Sequence, residues 1–106
     1  LRGTIEEITK SAIDLSKNSS VYGLDLLSYR FEGDVEKLIN NVVKKSKVPI
    51  VSAGSIDSEE KIKIVSSLGV WGFTVGSAIF EKKFTKRSSN IVDQVEEVLQ
   101  LSHKYL

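Results

Sequence analysis

Residues 48–62 read VPIVSAGSIDSEEKI, and their order decides the fold. An apolar run carrying Pro49 gives way to the small residues Ala53, Gly54 and Ser55, and then to acidic residues before Ile62. Proline has no N–H for a ladder hydrogen bond, so Pro49 belongs at the start of a strand rather than its middle. The expected strand is 48–53. Asp57 and Glu60 stand three apart and predict a capping box. They would open a helix whose apolar residues are Ile62, Ile64, Val65 and Leu68. Gly69 then ends the helix where a left-handed residue is favoured. Residues 71–84, WGFTVGSAIFEKKF, repeat this grammar. A strand at 70–75 meets a Gly76-Ser77 turn, one short helical turn and a basic tail.

The same pattern extends towards the N-terminus. Thr4 and Glu7 predict a capping box for a helix bearing Ile5, Ile8, Ala12 and Leu15. Residues 18–20, NSS, end it. Residues 21–29 form an apolar run with little alternation, which fits a parallel strand covered on both faces. Asp34 caps a second helix with Val35, Leu38, Ile39, Val42 and Val43 along its inner stripe. Lys44, Lys45 and Lys47 crowd the end of that helix, where cations suit the dipole. At the C-terminal end, Asn90 caps a last helix with Ile91, Val95, Val98, Leu99 and Ser102 spaced along one side. The expected fold class is α/β, with (βα) repeats, parallel strands and right-handed crossovers, treated as one partial domain over 1–106.

Composition narrows the function classes. The chain has 106 residues, 41% apolar and 27% charged, with a net charge of +1. This is an ordinary globular composition. It gives no case for a nucleic-acid partner. No apolar run approaches the roughly 20 residues of a membrane span. There is no cysteine, hence no disulfide framework and no thiolate metal site, and a cytoplasmic location is expected. The chain opens on Leu1 and contains no Met, as a fragment, a processed chain or an edited one would.

Three parallel strands leave two sheet edges unpaired and cannot close a packed barrel. A full eight-unit barrel takes about 250 residues. Either further units lie on other sequence, or copies of the chain cover the edges. A flavodoxin-like open sheet, with a signalling role, is the alternative.

Residues 48–84 carry a resemblance. They look like the last two βα units of the ribulose-phosphate-binding (β/α)8 barrels, similar to the phosphoribosyl isomerase and cyclase enzymes of histidine biosynthesis. In that family a small-Gly-Gly turn follows strand seven, and Val-Gly plus a small or polar residue follows strand eight. A short extra helix and an aromatic-basic stretch come next. The counterparts here are Ala53-Gly54-Ser55, Val75-Gly76-Ser77 and Ile79-Phe80-Glu81-Lys82-Lys83-Phe84. Ser55 stands where a second glycine is common. The resemblance covers about 21–84 and is strongest from Val48 onward. It implies the C-terminal portion, about three βα units, of a TIM-type barrel.

It also implies a phosphate grip. Backbone amides of Gly54, Ser55, Gly76 and Ser77 would hold the phosphate of a substrate or, as a second choice, of flavin mononucleotide. The plainer reading of these residues is turn chemistry. The reaction class would be isomerase, epimerase or aldolase chemistry on a phosphorylated sugar or related metabolite. A catalytically silent half-barrel that binds anions or builds an oligomer is the competing reading.

Other residues are weighed on their own chemistry. Asp25, inside an apolar strand, is a costly buried carboxylate unless paired or functional. It is either a lumen-facing general base or a structural partner for a lysine. Tyr29 and Arg30 fall at a strand's C-terminal end, the functional side of an α/β sheet. Arg30 could hold a second phosphate or a carboxylate, or pair with Glu32 or Asp34 at the surface. His103 is expected on the surface and Trp71 in packing. Lys82, Lys83, Lys86 and Arg87 form a basic run that is either a solvated loop or an anion-steering patch. No metal-ligand cluster, nucleophile triad or P-loop motif is present.

Overall fold

The computed structural model describes residues 2–81, 83–85 and 90–106. The helices are α1 (Ile5–Ser16), α2 (Val35–Lys45), α3 (Glu59–Ser67), α4 (Ser77–Phe80) and α5 (Ile91–Tyr105). The strands are β1 (Leu24–Leu26), β2 (Ile50–Ser52) and β3 (Gly72–Phe73), and a 3-10 turn spans Ser28–Arg30. The strands form one parallel sheet in the order β1-β2-β3, with Leu26 opposite Ser52 and Ser52 opposite Phe73. Strand order follows chain order, and the helices contact as α1 to α2, α2 to α3, α3 to α5 and α4 to α5. A flavodoxin-like sheet reverses its strand order at a switch point and carries helices on both faces. Neither feature is seen here, and the alternating βα units support the barrel-type reading of the fold.

Local chemistry starts and stops these elements largely as expected. Thr4 and Glu7 form the capping box of α1, the Asp34 carboxylate accepts from the Lys37 amide, and the Asn90 side chain accepts from the Val92 amide. Gly69 adopts φ +88° at the end of α3. Its amide bonds the Ser66 carbonyl and the Val70 amide bonds the Val65 carbonyl, the paired closure of a Schellman motif. The cap of α3 differs from expectation. Ser58, not Asp57, accepts from the Lys61 amide, and Asp57 instead pairs with Lys61 Nζ at 3.1 Å. A serine hydroxyl serves this position as well as a carboxylate does, which releases Asp57 to face the loop.

The core lies between the sheet and the helix layer. Leu38, Ile39, Val42, Ile62 and Val65 are essentially inaccessible, and Leu26, Ile50 and Ile56 join them. Each such side chain contributes roughly 1.5–3 kcal/mol relative to exposure. On the outer side, the Tyr105 hydroxyl donates to the Glu59 carboxylate at 2.6 Å, tying α5 to α3 and holding that carboxyl below its ordinary value.

The strands are shorter than the apolar runs that encode them, and among the described residues only one face of the sheet is covered. Residues 21–23 and 27–29 of the expected first strand lie outside β1. Asp25 alternates with the inward Leu26 and is exposed, which corrects the expectation of a buried carboxylate. Trp71, expected in packing, is 73% exposed. The inner side of α5 is also reassigned. Gln94 and Leu101 are buried, whereas Ile91, Val95 and Leu99 are exposed. Leu15 of α1 is likewise exposed. These apolar groups lie on sides of the fold that no other described element covers.

Candidate functional site

Parallel strands put all their C-terminal ends on one rim, so the segments that leave them can meet. Leu27 and Arg30 follow β1, residues 53–57 follow β2, and Thr74 with residues 76–78 follow β3. Together with Glu81 they line one cavity of about 590 Å³. Gly54, Ser55, Gly76, Ser77 and Arg30 are thus brought together. Tyr29 is not among the lining residues, and Asp25 lies on the open face of the sheet outside this cavity.

The two glycine turns differ in character. After β2, Gly54 has φ +82° and Ser55 has φ +61°. Two successive residues thus carry positive φ. A Cβ at Gly54 would sit 3.4 Å from both Arg30 Nε and Leu27 Cδ2. Glycine therefore serves the backbone conformation and also lets the arginine pass close over the turn. After β3, Gly76 is the N-cap of α4 and no side chain caps the helix there. The first amides of a helix have no intrahelical acceptor, and Ser77 and Ala78, both in the cavity wall, carry two of them. Space around Gly76 is open, with nothing within 4 Å of an added Cβ.

Charge in the cavity is mixed. Asp57 and Glu81 line it, and each has a lysine nearby: Lys61 Nζ at 3.1 Å from Asp57, Lys83 Nζ at 3.9 Å from Glu81. Arg30 makes no ion pair among the described residues, so its expected alternative pairing with Glu32 or Asp34 does not form. Of the basic run, Lys82, Lys86 and Arg87 lie outside the described residues. His103 is exposed on α5.

Lys61, Ser28, Ser52 and Gln94 support the site without a recognised sequence signal, whereas Tyr29 is already a candidate from its place at a strand end. Lys61, on α3, donates to the Ser55 carbonyl at 2.9 Å and stacks 4.6 Å from the centre of the Tyr29 ring. Tyr29 packs against the core with its hydroxyl buried and unpartnered, and burial raises its pKa above the ordinary value, helped by Glu36, Glu60 and Asp57. Ser28 and Ser52, both fully buried, share a hydroxyl–hydroxyl bond that joins the end of β1 to β2. Gln94, buried on α5, holds the segment after α4. A capping motif hid Lys61, and the others are ordinary polar residues whose partners lie far off in sequence.

With this geometry in hand, similarity to known proteins can be placed. The chain is 29% identical over 99 residues to a tryptophan synthase alpha chain of Cyanidioschyzon merolae, covering 93% of this chain and 39% of that one. It is 27% identical over 93 residues to a phosphoribosyl-imidazole-4-carboxamide isomerase of Methanocaldococcus jannaschii, covering 76% and 37%. It is 28% identical over 88 residues to a putative N-acetylmannosamine-6-phosphate 2-epimerase of Listeria monocytogenes, covering 71% and 37%. The kinship is with TIM-barrel enzymes. The matched part is their C-terminal portion. The chain spans well under half the length of these relatives. No family model and no solved structure matches it. No helix among the described residues is long and apolar enough to cross a membrane.

Proposed function

We propose that this chain is the phosphate-holding C-terminal portion of a TIM-barrel enzyme acting on a phosphorylated sugar or related metabolite, by isomerase, epimerase or aldolase-type chemistry. One observation carries the reading: the Gly54-Ser55 and Gly76-Ser77 turns and Arg30 share a single rim cavity. Amides at the start of α4 and an unpaired guanidinium suit a dianion held partly by the main chain. Two of the relatives bear names with a phosphorylated sugar or phosphoribosyl group. The bound phosphate belongs to the substrate, with flavin mononucleotide as the alternative ligand. Asp25, on the open face, is the candidate catalytic acid or base, and the remaining catalytic groups come from further βα units.

A groove of about 340 Å³ between β3 and α5, walled by Phe73, Val75, Val98 and Leu99, favours docking of such units or of a second copy. A silent half-barrel that only binds anions or assembles is the second reading, resting on that groove.

The test is titration of the chain with inorganic phosphate and with ribose 5-phosphate, followed by amide chemical shifts. Saturable shifts at Ser55, Gly76, Ser77 and Ala78 are the expected result. Shifts spread over surface lysines, with no saturation, would remove the assignment.

A further inference from the structure

Ser55 is the one non-glycine residue with positive φ among the described residues, at +61°. An L-residue with a side chain adopts that conformation at a cost, and it persists where its surroundings fix it. One side chain is bonded to this turn. Lys61 reaches back from the first turns of α3, donates to the Ser55 carbonyl at 2.9 Å, and is anchored by Asp57 at 3.1 Å and by the Tyr29 ring at 4.6 Å. Its ammonium has three donors, so it can serve the carbonyl and the carboxylate together. The Ser55 carbonyl and amide point in directions set by the same two dihedrals, so fixing one orients the next.

The geometry points to Lys61 as a positioning residue for the anion site: its bond to the Ser55 carbonyl holds the left-handed turn and so presents the 54–56 amides to the cavity. This rests on the phosphate reading above but acts through the turn, not by contact with the ligand. Lys61 is not in the cavity wall, whereas its partners Ser55 and Asp57 are. The strap explains how a serine occupies a backbone conformation that glycine adopts without cost.

The experiment compares three forms of the chain, all carrying Asp57→Asn so that losing the ammonium does not unmask a carboxylate at the cavity. They are the Asp57→Asn parent, the form with added Lys61→Met, and the form with Lys61→Met plus Ser55→Gly. Amide and Cα shifts and the HN–Hα coupling of Ser55 report its φ without ligand, and titration with inorganic phosphate reports the site. Lys61→Met is expected to shift Ser55 out of the left-handed region and to weaken phosphate about tenfold. Ser55→Gly is expected to restore the affinity with the lysine still absent, because glycine needs no strap. A left-handed Ser55 persisting in the Lys61→Met form would overturn the inference whether or not phosphate binds. Lost affinity that Ser55→Gly fails to restore would also overturn it, since direct charge attraction predicts that result. If the parent form binds no phosphate while the coupling at Ser55 responds to Lys61, the strap stands and the phosphate reading falls.

Discussion

Gln94 grips Thr85 as one strand grips another: its Nε2 donates to the Thr85 carbonyl at 2.7 Å and its Oε1 accepts from the Thr85 amide at 3.2 Å. The same oxygen accepts from the Phe84 amide at 3.0 Å. A side-chain amide thus substitutes for a missing ladder and seats the segment after α4 on α5. Gln94→Leu roughly keeps the volume and removes these bonds. The expected loss is about 2 kcal/mol in urea denaturation, because peptide groups next to the core lose partners that water replaces poorly. A change below a few tenths would show that water takes over freely.

Gly76→Asp separates binding from folding. The Cβ has open space, so no packing is lost and the melting temperature is expected to fall by no more than a few degrees. Phosphate affinity is expected to vanish, since a carboxylate then occupies the wall of the proposed anion cavity. Calorimetry with inorganic phosphate and a thermal melt on the same sample give both answers.

The Ser28–Ser52 pair joins the 3-10 turn after β1 to β2 inside the core. Either single alanine leaves one buried hydroxyl with less to bond, at a cost of about 1 kcal/mol, whereas the double Ser28→Ala, Ser52→Ala form is expected to be less destabilised than the sum. A double-mutant cycle in denaturant measures the coupling. Strict additivity would mean that the two hydroxyls act independently.

Tyr29 makes part of the alkaline stability depend on its phenol. Its folded pKa lies above the ordinary value of 10.0, with desolvation as the largest cause. Stabilisation from the neutral phenol is complete below that value and is lost as pH rises through the folded pKa. Tyr29→Phe removes an unpartnered buried hydroxyl, so its stability is expected to match or exceed the parent's at pH 7. The difference should widen in its favour above pH 10. Denaturation midpoints at pH 7, 9 and 10.5 check the trend, and a constant difference would contradict it.

Leu99 is 55% exposed on the uncovered side of α5. Leu99→Lys is expected to change unfolding stability by less than about 0.5 kcal/mol and to reduce the self-association proposed for this side at high concentration. Sedimentation velocity at a series of concentrations reads the association directly.

Much of this molecule was legible in the residue order. Capping pairs at Thr4 and Glu7 and at Asp34, the C-terminal glycine at Gly69 and the apolar periodicity of α2 and α3 act within a few residues, so their consequences are local and readable. Alternating strand and helix signals with short links fixed the parallel βα architecture. The glycine-bearing turns were recognisable because strand ends and helix starts frame them. What an element faces is a different matter, because that depends on which other surfaces reach it. The α5 periodicity named an apolar stripe correctly, yet the packed side belongs to Gln94 and Leu101, since α3, α4 and the 83–85 segment lie there. Asp25 was misjudged for the same reason: a strand's burial is set by a second layer, and here only one exists. The union of Arg30 with two turns 24 and 46 residues away, and the reach of Lys61 across Ser55, arise from parallel strand ends sharing one rim, a relation that only the assembled sheet creates.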